Sequence, residues 1–288
     1  MDDMKDLISR LNQTGKRLSK SHRLIEAYIV AHYDKAVFMT ASVLGQNVGV
    51  SESTVVRFAT AMGYDGYPEM QQALQELVRH RLTSQQRLDM STGLGKQQVL
   101  ETVLKSDMNN MRSTMEELDP DIFDRVVERI LGAKAIYILG LRSAAPLAQF
   151  LGYYLHYIFD DVRIVSSGTG DVFEDISRIG REDVLIGISF PRYSTRTLEA
   201  MRFARQRGAQ VVGITDGVRS PMMDITPDCL TARTDMASFV DSLAAPLSVI
   251  NALVVALGLQ RPEELREHFR HMESIWDEYK VYIKKENE

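Results

Sequence analysis

At 288 residues, 44% hydrophobic and 25% charged, the chain is too long for one ordinary domain and too apolar to remain unfolded, so two domains are expected. A net charge of −5 excludes a protein that coats nucleic acid over its whole surface, and a lone cysteine, Cys229, excludes an internal disulfide. No Cys/His cluster has zinc-site spacing, no signal-peptide core opens the chain, and no run of about 18 apolar residues occurs; a cytoplasmic protein without metal, cofactor or membrane partner is expected.

Residues 1–90 carry 11 Lys/Arg against 10 Asp/Glu, so this part is less acidic than the remainder. Over 20–82 the pattern is that of a helical bundle without strands. Ser21–Tyr33 places Leu24, Ala27, Tyr28 and Ala31 at i, i+3, i+4 and i+7, the expected apolar face of a first helix. Thr40 is an N-cap candidate for a short second helix through Val43 and Leu44 to Val48, broken by Gly49. Ser51 caps a third, SESTVVRFATAM, which Gly63 ends, and Pro68 suits the first turn of a fourth that reaches past Arg79. Leu82–Lys96, polar with Gly93 and Gly95, reads as a linker, and a lead-in helix is expected over Gln97–Leu118. The expected domains are 1–82 for a helix-turn-helix unit, 83–118 for linker and lead-in helix, and 119–288 for a second domain with a helical tail.

Beyond Pro120 the pattern alternates. AIYILG (135–140), VRIVSS (162–167), VLIGIS (184–189), VVGITD (211–216) and a weaker CLTART (229–234) are short, rich in β-branched residues and separated in several places by helical segments. The expected fold class is therefore an all-α helix-turn-helix domain followed by an α/β domain with a parallel sheet flanked by helices. Ligands bind such sheets at the carboxyl ends of the strands, so the loops after 140, 167, 189 and 216 form the candidate site. Cys229 reads as a small buried hydrophobe near a strand.

In the third helix, Val55, Phe58, Ala59 and Met62 can face inward, leaving Glu52, Ser53, Thr54 and Arg57 for the major groove. Arg57 suits guanine or phosphate, the hydroxyls suit either, and Thr40 and Ser51 at the two helix starts join the DNA-contact candidates. The same pattern fits an ordinary three-helix bundle with a solvated polar face. The run TASVLGQNVGVSESTVVRFATAMGYDGYPEMQQAL, however, resembles the helix-turn-helix of the MurR/RpiR family in Val50, Ser51, Thr54, Val55, Arg57, Phe58, Gly63, Tyr64, Gly66 and Tyr67. Gly45 stands where alanine is more usual, and is expected to loosen the second helix slightly.

That family pairs this domain with a sugar isomerase (SIS) domain, which residues 120–260 resemble. Gly140-Leu141-Arg142-Ser143-Ala144 matches the family's Gly-x-x-Ser turn, where Ser143 at a helix start would add a hydroxyl to N–H groups that favour an anion; a plain serine N-cap fits equally. Related SIS domains show Ser-x-Ser-Gly-x-Thr after the third strand. Here Ser189 and Ser194 match the outer hydroxyls, while Pro191 replaces the middle serine and Arg192 the glycine. Arg192 is either a compensating bidentate clamp or a surface arginine at a loop tip. Thr195 completes the effector-binding candidates, and Thr215 and Asp216 read as structural.

The resemblance implies a transcriptional regulator of carbohydrate metabolism that binds double-stranded DNA at an approximately palindromic operator as a homodimer or homotetramer, under control of a phosphosugar or related small anionic sugar. The alternative is a phosphosugar isomerase or other SIS-domain enzyme with an amino-terminal helical extension. That needs a poised acid/base group, and His156, Glu174 and Asp241 have no recognisable catalytic context, so no catalytic residue is assigned. The apolar helices 144–159 and 238–258 are long enough to pack across a subunit interface or to form intrachain core.

Overall fold

The computed structural model describes residues 18–37, 39–78, 84–89, 96–166, 170–236 and 239–283. The chain divides into two units between Leu94 and Gly95. In the first, α1 (Lys20–Ala31), α2 (Tyr33–Ala36), α3 (Ala41–Val48), α4 (Glu52–Ala61), α5 (Tyr67–Val78) and α6 (Ser84–Asp89) follow one another, with no strand among the described residues. Ile25 and Ile29 of α1, Leu44 of α3, Val55, Phe58 and Ala59 of α4, and Met70 and Leu74 of α5 are buried.

The face expected for α1 is corrected by this packing. Leu24 is 48% exposed and Ala27 and Ala31 are exposed, while the stripe one residue later, Ile25 and Ile29, is buried. In a segment as apolar as LIEAYIVA two adjacent stripes satisfy the same helical period, and tertiary contacts choose between them. Two further expectations change: the four-residue α2 was not foreseen, and six residues of the expected linker form α6. Arg79, Leu82, Gly93 and Gly95 lie outside the described residues.

The second unit begins with α7 (Lys96–Glu117) and α8 (Pro120–Leu131), the latter capped by the Asp119 carboxylate. Then come β1 (Ile136–Gly140), a 3-10 turn (Arg142–Ala144) running into α9 (Ala145–Leu155), β2 (Val162–Val165), α10 (Val172–Asp175), β3 (Val184–Ile188), α11 (Thr195–Gln206), β4 (Gln210–Thr215), β5 (Cys229–Thr231), α12 (Ala244–Gln260) and α13 (Pro262–Glu278). All pairings are parallel and the order is β2-β1-β3-β4-β5.

Alternation along the strands divides the core in two. Ile136, Ile138, Ile186, Ile188, Val212 and Ile214 pack with Val126 and Ile130 of α8, Leu151 and Leu155 of α9, and Ile250, Leu253 and Leu257 of α12. Tyr137, Leu139, Leu185, Val211 and Cys229 face Ile176 and, on α11, Ala200, Met201 and Ala204. Central strands covered on both faces read as unbroken apolar runs. Edge strand β2 instead exposes Arg163, whose guanidinium lies 2.7 Å from the Asp161 carboxylate and keeps the edge charged. Among the described residues no single helix is long and apolar enough to cross a membrane.

α7 belongs to this unit through side-chain clasps on the segment after β5. The buried Asn110 donates to Asp235 O at 2.8 Å and accepts from Asp235 N at 3.1 Å. Arg233 N donates to Thr114 Oγ1 at 2.8 Å, and the Arg233 guanidinium pairs with Glu117 at 2.7 Å. Ser242 donates to Asp107 at 2.6 Å.

Candidate DNA-reading face and effector crevice

The turn between α3 and α4 is built on caps at both of its ends. Thr40 Oγ1 accepts from Val43 N at 3.3 Å and starts α3; Gly49, with φ 78°, ends it in the left-handed conformation; Ser51 Oγ accepts from Thr54 N at 3.3 Å and starts α4. The turn then closes onto α3, Val50 N donating to Gly45 O at 2.9 Å. A Cβ on Gly45 would lie 2.8 Å from Val50 O. The residue expected to loosen the helix is thus where the turn's backbone seats, and close approach explains the glycine. Tyr67 OH (2.6 Å) and Gln71 Nε2 (3.0 Å) both donate to Met39 O, fixing the chain just before Thr40; burial pushes the Tyr67 phenol up to about 12.

Ser51, Glu52, Ser53 and Arg57 are exposed and Thr54 is half-buried at the amino end of α4. The polar atoms of Ser51, Ser53, Thr54 and Arg57 form one cluster: Ser51 Oγ lies 3.0 Å from Ser53 Oγ and 2.8 Å from Thr54 Oγ1, and Arg57 donates to Ser53 O at 3.2 Å and Thr54 Oγ1 at 3.4 Å. Val56 and Thr60, exposed on the same helix, extend this outward face and were not named from sequence. Helical spacing from Ser53 and Arg57 was the available signal. Of the four residues expected to face inward, Val55, Phe58 and Ala59 are fully buried and Met62 is half-buried.

In the second unit the parallel register aligns Gly140 at the end of β1 with Ile188 at the end of β3, and Ile188 with Ile214 of β4, so the three following loops leave the sheet side by side. Gly140 allows the first to fold back, since a Cβ there would lie 2.6 Å from Ala144 O. Ser143 is exposed within the 3-10 turn and caps neither it nor α9, so the simple N-cap role does not apply. Arg142 beside it has φ 58°.

After β3 the loop wraps around the buried Ser189, whose Oγ accepts from Ser194 N at 3.2 Å. Ser194 Oγ in turn accepts from Thr197 N at 3.4 Å and caps α11. Arg192 is exposed with φ 60°, Pro191 is buried, and Thr195 is exposed at the start of α11. Tyr193 OH donates to Asp216 Oδ1 at 2.6 Å and Thr215 pairs with Ser220 at 2.7 Å, joining the β3 and β4 loops and giving Thr215 and Asp216 the structural parts expected of them. Within the loop after β2, Ser167 lies outside the described residues. Ser189 and Ser194 are therefore brought together directly, while Ser143 and Arg142 stand on the neighbouring strand end.

The arrangement defines a class: a helix-turn-helix unit whose second helix is capped and polar on its outer face, joined in one chain to a parallel α/β unit whose strand ends present hydroxyls and a helix amino terminus. Residues 5–80 match the "Helix-turn-helix domain, rpiR family" and residues 129–256 match the "SIS domain". The chain belongs to the RpiR family of helix-turn-helix transcriptional regulators.

Among its relatives, the HTH-type transcriptional regulator HexR of Pseudomonas aeruginosa is 27% identical, over 93% of this chain and 95% of its own length. The sugar isomerase domain of an RpiR transcription factor from Sphaerobacter thermophilus superposes with a TM-score of 0.59 at 25% identity, covering 62% of this chain and 99% of that one. The NanR protein of Vibrio vulnificus, solved in complex with ManNAc-6P, shares the fold at a TM-score of 0.57 and 23% identity over 95% of this chain and 98% of its own.

Proposed function

We propose that this chain regulates genes of carbohydrate metabolism by binding operator DNA through α4, and that a phosphorylated or otherwise anionic sugar held at the strand ends of the SIS unit sets its operator affinity. The observation that carries this reading is the union in one RpiR-family chain of the α4 hydroxyl and arginine cluster with Ser189 and Ser194 interlocked at the start of α11. On the DNA side, Arg57 takes guanine or phosphate, Thr40, Ser51, Ser53 and Thr54 take phosphate or base edges, and Glu52 suits a cytosine amine.

On the sensor side, free N–H groups at the start of α11, with Ser189, Ser194, Thr195 and Ser143, receive the anionic group, and Arg192 supplies the clamp that offsets the hydroxyl lost at Pro191. The ManNAc-6P held by the Vibrio protein supports a sugar phosphate as the class. The unit is read as a sensor and not an enzyme. His156, bonded to its own helix at Gly152 O, closes the far end of α9, roughly 16 Å along the helix from the crevice end.

Two chains would read two half-sites about 34–36 Å apart, giving an approximately palindromic operator. A thermal-stability screen against sugar phosphates, sugar acids and their neutral parents tests the sensor, because a ligand of the folded state raises the melting temperature by mass action. Ser189→Ala is expected to lose the shift given by the best sugar phosphate while keeping ligand-free DNA affinity. A wild-type protein stabilised equally by the neutral parents, or by none, would contradict the assignment.

A further inference from the structure

Of the two Asp216 carboxylate oxygens, the fold uses one. Tyr193 OH donates to Oδ1 at 2.6 Å and Thr215 Oγ1 lies 3.2 Å from that same atom, while among the described residues nothing bonds Oδ2 and no cation pairs with the group. Arg219, three positions on, is exposed and makes no ion pair there. Holding Tyr193 needs only an acceptor, which a neutral amide would supply equally. The pin to the β3 loop accounts for the acceptor and not for the charge.

Placement gives the charge a use. Asp216 follows β4 directly, and Ser189 N donates to Ile214 O at 3.1 Å, so the end of β4 lies against the loop that holds Ser189 and Ser194. Adjacent strands stand about 4.8 Å apart, and a sugar whose phosphate sits at the amino end of α11 is long enough to cross that gap. The space there is open: Asp216 is half-buried, and a Cβ on Gly217 beside it would meet nothing within 4 Å.

An ionised carboxylate only accepts hydrogen bonds, so Oδ2 suits the hydroxyl or ammonium hydrogens of a sugar and repels a second carboxylate. Beside an anion site it weakens every anionic ligand somewhat and a doubly acidic one most, which makes it a filter by charge. We propose that Asp216 is the specificity-determining residue of the crevice, taking hydroxyl or ammonium groups of a hexose or hexosamine phosphate and excluding phosphorylated sugar acids. This rests on the sensor reading of the crevice, and narrows its ligand from any anionic sugar to one whose only anionic group is the phosphate.

Titration calorimetry on the full-length chain tests it, with inorganic phosphate, the 6-phosphates of glucose, mannose, glucosamine and mannosamine, and 6-phosphogluconate. The tightest hexose or hexosamine phosphate is expected to bind the wild type at least about tenfold better than 6-phosphogluconate. Asp216→Asn keeps an acceptor for Tyr193, so its melting temperature is expected to hold. The variant is expected to bind that best sugar phosphate about tenfold or more weakly, while inorganic phosphate binds as well as before or better, because a nearby negative charge is gone. A merely structural role would weaken both together.

6-Phosphogluconate bound by the wild type as tightly as the best of the others, or more so, overturns the proposal, and that ranking needs no variant to fold. So does a folded Asp216→Asn protein that keeps its affinity for the best sugar phosphate, or that loses phosphate and sugar phosphate in equal measure. Where Ser189→Ala removes binding in the same titrations, such a result faults Asp216 alone. If no phosphorylated compound binds, the sensor reading falls and this inference with it.

Discussion

At the scale of single residues, three backbone and side-chain environments carry predictions. Gly45→Ala should gain about 1 kcal/mol of helix propensity, but the new methyl meets Val50 O at 2.8 Å, and overpacking against backbone costs roughly 1–3 kcal/mol. Net destabilisation of about 1 kcal/mol is expected, read as a lower urea midpoint; a higher midpoint would show that the turn yields freely. Arg192 sits in the left-handed region, which costs a non-glycine residue roughly 1–2 kcal/mol. Arg192→Gly should therefore hold or raise stability while weakening the ligand found in the thermal screen, whereas unchanged ligand affinity would return Arg192 to the solvated surface. Cys229 is held unreactive because burial, then the neighbouring Asp228 charge, pushes its thiol from 9.0 up to about 12. A group neutral in the fold with a raised pKa contributes its full stability below its ordinary value and loses it as pH climbs from 9 toward 12. Thiol labelling at pH 8 should accordingly proceed only as fast as the protein unfolds, and rapid labelling of native protein would contradict this.

At the scale of elements, the strap between α7 and the segment after β5 is the clearest case of a feature the sequence does not announce. Asn110 and Asp235 are 125 positions apart, and nothing in local periodicity links a polar residue of one helix to a backbone segment beyond the last strand. Asn110→Ala removes a buried side chain that satisfies both an N–H and a carbonyl, so a loss of about 1–3 kcal/mol is expected in chemical denaturation. A change within a few tenths would mean that solvent replaces the clasp. What was legible followed from strong local rules: the strands near 136–140, 184–188 and 210–215 stood out because both faces of the sheet are covered, and α3 and α4 because Thr40, Gly49, Ser51 and Gly63 mark their ends chemically. What was not legible lacked such rules. α2 and α10 span four residues each, too few for a period, and the α1 face was misassigned because Leu24 and Ile25 head equally apolar stripes. Ser143 looked like a cap because a serine precedes a helix there, but the intervening 3-10 turn carries it away from the cap position.

At the scale of the whole molecule, the account requires two activities in one chain to be thermodynamically linked, because a regulator must convert occupancy of one unit into affinity at the other. On the DNA side, Arg57→Ala should cost roughly 1–3 kcal/mol if it reads a base, and affinity should fall steeply with salt as phosphate contacts release counterions. Linkage adds a sharper demand, since whatever factor the ligand imposes on operator binding, the operator must impose on ligand binding. The most direct test is therefore fluorescence anisotropy of a duplex selected from random sequence by the full-length protein, titrated with and without the best sugar phosphate from the thermal screen. The converse ligand titration is done with and without that duplex. Salt-sensitive, sequence-selective binding, with the two factors equal and in the range of about 5–150-fold, is the result expected. Absence of selective DNA binding, or tight binding of both partners with neither affecting the other, would contradict the account.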